Sequence, residues 1–80
     1  MSNLTQIQKG QLARISSILG EDGLHFRLME IGFIPGRCIE FLRSAPLGDP
    51  VEFILNGSRI ALRKADAAKV LVELVQPSHG

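Results

Sequence analysis

The sequence predicts a mainly β domain in which five short strands wrap into a small barrel. One short helix falls between the first and second strands, and one short helical turn precedes the last. Three observations carry this expectation. Apolar side chains alternate along most segments, as half-buried strands require. Asn56-Gly57 stands between two such runs, and that pair accepts the left-handed backbone of a two-residue hairpin turn. A single amphipathic stretch, Leu24 to Ile31, lies between a cap residue, Asp22, and a helix stop, Gly32.

The leading segment, Met1 to Ile7, is polar apart from Leu4 and Ile7, and is expected to lie across the domain. Lys9-Gly10 turns the chain. Gln11 to Leu19 reads as the first strand, with Ala13 and Ile15 in alternation. Ile18 is out of phase with them, which predicts a β-bulge near Ser16-Ser17. Glu21 and Asp22 complement the positive end of the helix that follows. Leu24, Leu28 and Ile31, spaced i, i+4, i+7, form its expected core face. Phe26 and Met29 fall about 160° from the centre of that face.

Gly32 suits the left-handed position past a helix end. Phe33 and Ile34 make the next corner apolar, so it is expected to be buried. Pro35-Gly36 suits the centre of a type II turn, because proline presets φ and glycine accepts φ > 0. Arg37 to Ser44 is the second strand, with Ile39 and Phe41 on one side and Cys38, Glu40 and Leu42 on the other. Ala45 to Pro50 is a proline-bounded loop. Val51 to Leu55 and Ser58 to Leu62 form the hairpin. Its turn pairs Leu55 with Ser58, Phe53 with Ile60 and Val51 with Leu62, which puts Val51, Phe53, Ile60 and Leu62 on one face. Ile54 falls on the other face, opposite Arg59.

Arg63 to Ala68 is long enough for one helical or 3-10 turn. Lys69 to Val75 is the last strand, with Val70, Val72 and Leu74 inward and Leu71 and Val75 outward. Residues 76–80 read as a frayed tail, and 1–80 as one domain. Together these segments fit an SH3-like barrel, closed or nearly so, since closure removes exposed sheet edges.

Composition excludes several function classes. The formal charge is +1 and no basic stripe is visible, which argues against a nucleic-acid partner. Trp and Tyr are absent, which removes the usual platforms for stacking bases or reading proline-rich peptides. Cys38 is the one cysteine, so no internal disulfide forms and a reducing cytoplasm is the expected compartment. No signal peptide is recognisable, and no apolar run approaches the ~20 residues of a membrane span, so direct insertion is not expected.

No catalytic constellation is present, neither a nucleophile with its base nor a glycine-rich phosphate loop. His25, Cys38 and His79 are the candidate soft or imidazole ligands, and their spacing matches no metal site. Glu30 stands near the negative end of the helix, so a bond to turn amides or to Arg27 is expected to hold it there. Asp49 reads as a turn former. Phe26, Met29, Leu42, Leu47 and Ile54 are apolar at positions the pattern sends away from the core. Singly, such residues are ordinary. Together, with 45% hydrophobic residues in so short a chain, they predict a surface patch that docks on another molecule.

The string Arg27-Leu28, Glu30-Ile31-Gly32-Phe33, Pro35-Gly36, followed by Ala45-Pro46 and Gly48-Asp49-Pro50, resembles the FeoA family of bacterial ferrous iron transport accessory proteins. Gly10, Ile15, Gly57, Ile60-Ala61-Leu62-Arg63, Ala67 and Val70 extend the resemblance over nearly the whole chain. Phe26 departs from the family pattern, where a polar residue is expected. The resemblance implies an SH3-like barrel without catalysis or a resident cofactor. It also implies a partner, FeoB, a membrane iron transporter with a cytoplasmic GTP-binding domain, which would hold this chain at the inner face of the membrane. The same apolar surface could instead pair two copies. A similar barrel ends some metal-dependent repressors, so the alternative reading is a metal-responsive domain for ferrous iron or zinc, with weak divalent binding assigned to no residue.

Overall fold

A computed structural model describes residues 2–20 and 22–75. In chain order the elements are β1 (Ser2–Asn3), a 3-10 turn (Leu4–Gln6), β2 (Leu12–Ile18), α1 (Gly23–Ile31), β3 (Cys38–Ser44), β4 (Val51–Leu55), β5 (Ser58–Leu62), α2 (Lys64–Ala67) and β6 (Val70–Leu74). The strands form one antiparallel sheet in the spatial order β1-β6-β2-β3-β4-β5.

The hairpin follows its sequence. Asn56 and Gly57 both take positive φ, 53° and 78°, which matches the right-handed twist of the flanking strands. The register pairs Leu55 with Ser58, Phe53 with Ile60 and Val51 with Leu62. Val51, Phe53 and Leu62 are buried, and Ile60 packs against them. Phe53 meets Phe41 of β3 edge to face, with centroids 5.6 Å apart.

The bulge of β2 lies where the phase break placed it, between Ile15 and Ser17. One extra residue there lets Ile15 and Ile18 both reach the core, which unbroken alternation forbids. A second bulge, between Phe41 and Arg43, was not expected. It leaves Leu42 as the extra residue of β3, half-buried rather than projecting freely.

Among the described residues the strands number six rather than five. Ser2 and Asn3 pair with Val72 and Leu71 to make the short β1. Asn3 then caps the 3-10 turn: its Oδ1 accepts from the Thr5 amide and its own amide donates to Gln6 Oε1, each at 2.8 Å. This turn drives Leu4 fully into the core, with Ile7 behind it. No ladder joins β1 to β5 among the described residues, so the barrel stays open along that seam.

Outside the helix, two expected inward residues lie exposed. Leu74 is 41% exposed at the end of β6, where its ladder partner, buried Ala13, is too small to cover it. Ile34 is exposed although its neighbour Phe33 is fully buried. Ile34 opens the type II turn, in which Arg37 N–H donates to the Ile34 carbonyl at 3.1 Å and Gly36 takes φ 94°. Asp49 does more than turn the chain: its Oδ1 accepts from the Lys64 amide at 2.9 Å, capping α2 from fifteen residues away. The frayed-tail expectation for 76–80 falls outside the described residues.

Candidate docking surface

Helix α1 begins as its sequence requires. Asp22 takes extended backbone and its Oδ1 accepts from the His25 amide at 3.3 Å. The helix ends in a Schellman arrangement: Phe33 N–H donates to the Leu28 carbonyl at 3.0 Å and Gly32 N–H to the Met29 carbonyl at 3.1 Å. Gly32 has φ 124°, open to glycine alone, and a Cβ there would lie 3.1 Å from Asn56 Nδ2. The helix end is thereby seated against the tip of the β4–β5 hairpin.

The helix is turned from its expected orientation. Leu28 is fully buried and Leu24 packs against the core, but Ile31 is 44% exposed. The half-buried flank is completed by His25 instead. At ~100° per residue the buried face is thus rotated by about 40° toward His25. Phe33, folded back by the Schellman bonds, takes the buried place at that end which Ile31 was expected to fill.

Phe26 and Met29 face outward as expected, 61% and 38% exposed. Standing i, i+3 on one helix, they are adjacent, with Cβ atoms on the order of 5–6 Å apart. The Phe26 ring meets the His25 ring edge to face at 5.5 Å, which limits its freedom. A pre-positioned aromatic loses less entropy on docking than a free one. Ile31 and Ile34 are also exposed near the helix end, but Ile31 stands about 160° round the wheel from Met29 and so does not adjoin this pair. Neither was singled out from the sequence, since the wheel put Ile31 inside and the apolar corner buried Ile34.

The other expected patch residues lie apart from these two. Leu47 is 96% exposed on the loop joining β3 to β4. That loop is at the far end of β4 from the hairpin tip on which the helix rests, about 15 Å away for five strand residues. Leu42 is half-buried in the β3 bulge. Ile54 is half-buried on the outer sheet face, between Glu40 of β3 and Arg59 of β5. Leu12, missed from the sequence, continues that row opposite Glu40 and is exposed; its parity against buried Ala13 and Ile15 was the available signal. Phe26 and Met29 are therefore the nucleus of one surface, and Ile54 and Leu12 belong to another.

Glu30 is exposed, and among the described residues it bonds neither Arg27 nor the turn amides. The amides of Gly32, Phe33 and Ile34 are already used by the carbonyls of Leu28, Met29 and Gly32. The ion pairs lie elsewhere, where Glu52 accepts from Arg43 Nε at 2.9 Å and stands 4.0 Å from Arg59 Nε. Among the described residues no three His, Cys, Asp or Glu side chains come together as a metal site would need. The His25 ring packs edge to face on Phe26 with its Nδ1 buried and without a partner among the described residues, Cys38 is exposed on β3 opposite Arg14, and His79 is outside the described residues. No helix among the described residues is long and apolar enough to cross a membrane.

Residues 2–74 match a family model described as the FeoA domain. The chain belongs to the FeoA family. It is 36% identical over 72 residues to an Fe(2+) transport protein A/Fe(2+) transporter FeoB fusion protein of Porphyromonas gingivalis, covering 90% of this chain and 8% of that protein. The FeoA protein of Chlorobium tepidum has the same fold in solution, with TM-score 0.87 and 32% identity, covering 98% of this chain and 74% of that one. The zinc complex of Stenotrophomonas maltophilia FeoA, described as a prokaryotic SH3 domain protein, gives TM-score 0.80 at 27% identity, covering 91% of each chain. FeoA domains are non-catalytic accessories of ferrous iron transport, and the SH3-like architecture read from this sequence is the family's own.

Proposed function

We propose that this FeoA domain docks on the cytoplasmic side of a FeoB-type ferrous iron transporter and modulates it, with the Phe26–Met29 side of α1 as the contact. The supporting observation is the Porphyromonas gingivalis relative, in which a matching segment and FeoB share one polypeptide. Linking two modules raises their effective concentration, which favours a pair that touches. Burial of exposed Phe26 and Met29 supplies a driving force, on the order of 1–3 kcal/mol for each residue. The partner then holds the domain at the inner face of the membrane.

A pull-down with the transporter's cytoplasmic domains tests this reading. Wild type is expected to be retained, and Phe26→Asp and Met29→Asp to lose retention while circular dichroism shows the fold intact. Failure of the wild type to bind in every nucleotide state sinks it. Self-association that disappears with the same variants assigns the surface to a second copy instead.

A second reading, a domain responsive to ferrous iron or zinc, draws on the zinc complex of the Stenotrophomonas relative. Anaerobic titration calorimetry with each ion separates the two. A stoichiometric site of micromolar affinity or better promotes the metal reading.

A further inference from the structure

Strand β5 ends the sheet: among the described residues no strand pairs with its outer edge, and Ser58, Arg59 and Ala61 along it are exposed. A two-residue hairpin makes its closing pair hydrogen-bonded, so Leu55–Ser58, Phe53–Ile60 and Val51–Leu62 exchange the ladder bonds. The backbone groups of Arg59 and Ala61 therefore point away from β4. Neither their N–H nor their C=O groups find a partner among the described residues, and both residues are exposed. Such an edge is a template for one more strand.

The side chains beside this edge define what can be added. Arg59 and Ala61 share the outer face, and Arg63, still extended at φ −62° and ψ 143°, continues the row. Two arginines about 13 Å apart thus flank a small residue along one strand. Glu52 pairs closely with Arg43 and stands farther from Arg59, so the Arg59 guanidinium keeps capacity for a second carboxylate. Arg63 makes no side-chain cap bond to α2 and no ion pair among the described residues. A second copy of this chain supplies neither arginine with a carboxylate: self-pairing about Ile60 sets Arg59 opposite Ala61 and Arg63 opposite Gly57. Antiparallel self-pairing about Ala61 sets Arg59 of each copy against Arg63 of the other, and like charges directly opposed destabilise a strand pair.

We infer that the β5 edge receives an extended, acidic segment of another protein by strand addition. The segment carries carboxylates four residues apart, opposite Arg59 and Arg63, and an apolar residue over Ala61. Main-chain bonds to Arg59 and Ala61 give affinity, and the two arginines give polarity and register. This inference stands on the sheet edge alone and does not rest on the transporter reading.

The test titrates the 15N-labelled full chain with two peptides, acetyl-TDTVTDT-amide and acetyl-TKTVTKT-amide, followed by amide correlation spectra. The acidic peptide is expected to shift amides 58–63, with a dissociation constant in the range of about 1 mM or below. The lysine peptide is expected to leave them in place. Ala61→Pro removes an outward N–H that β4 does not use, a substitution edge strands tolerate. It is expected to weaken binding about fivefold, the loss of roughly one net strand bond. The double variant Arg59→Glu, Arg63→Glu is expected to exchange preference and take the lysine peptide; it carries the test if Ala61→Pro does not fold. No shift at about 5 mM acidic peptide overturns the inference. So do shifts centred outside 58–63, or equal binding of both peptides.

Discussion

The β4–β5 hairpin and helix α1 are adjacent, of similar length, and joined where Gly32 meets Asn56, yet their sequences specified them unequally. Every pairing of the hairpin and the inward set Val51, Phe53, Ile60 and Leu62 stand as the sequence placed them. The helix has its expected caps and outward Phe26 and Met29, but its buried face turned and Ile31 came out. The physical difference is the size of the step. A strand has two faces, and Asn56-Gly57 fixes the register, so a residue is either in or out. A helix advances ~100° per residue, and small rotations cost little until packing chooses one. In nine residues, too few turns exist to average the choice away.

Substitutions in the two regions sharpen this contrast. The largest effect is expected from the hairpin's fixed core: Phe53→Ala should cost about 3–5 kcal/mol in urea unfolding, because no neighbour can rotate to fill the space. A cost within the range of a surface change would mean that the hairpin is as adjustable as the helix. The decisive pair lies on α1. Leu28→Ala should cost about 2–5 kcal/mol, and Ile31→Ala about 0.5 kcal/mol or less, although the bare wheel ranks them alike. Equal losses would restore the unrotated helix. At the joint, Gly32→Ala should cost about 1–3 kcal/mol from its φ of 124°. The Asn56 amide it approaches is a mobile tip, so Asn56→Ala should relieve little of that cost. Full rescue by the double variant would make the Asn56 contact, rather than the backbone, the source of the penalty.

The same contrast runs through the candidate surface. That Phe26 and Met29 are exposed was legible, because they lie far enough round the wheel that a rotation of about 40° does not hide either. Ile31 and Ile34 were not legible, since each depended on how the Gly32 corner folded back. Leu42 was misjudged for a related reason: a bulge has no signature when both its neighbours continue the alternation. The bulge of β2 was legible because Ile18 broke the phase. Glu30 was given a structural bond that the corner's own carbonyls had already claimed.

What the sequence determined alone was local and binary: where strands start and stop, which turns need glycine, which side of a hairpin is oily, and the family string from Arg27 to Pro50. These follow from steric rules acting within a few residues. What only the tertiary structure decided was how elements share volume: the rotation of α1, the recruitment of Ser2–Asn3 as a sixth strand, the Asp49 cap on α2, and the open edge at β5. Each depends on residues far apart in the chain meeting at one place, and no local pattern carries that information.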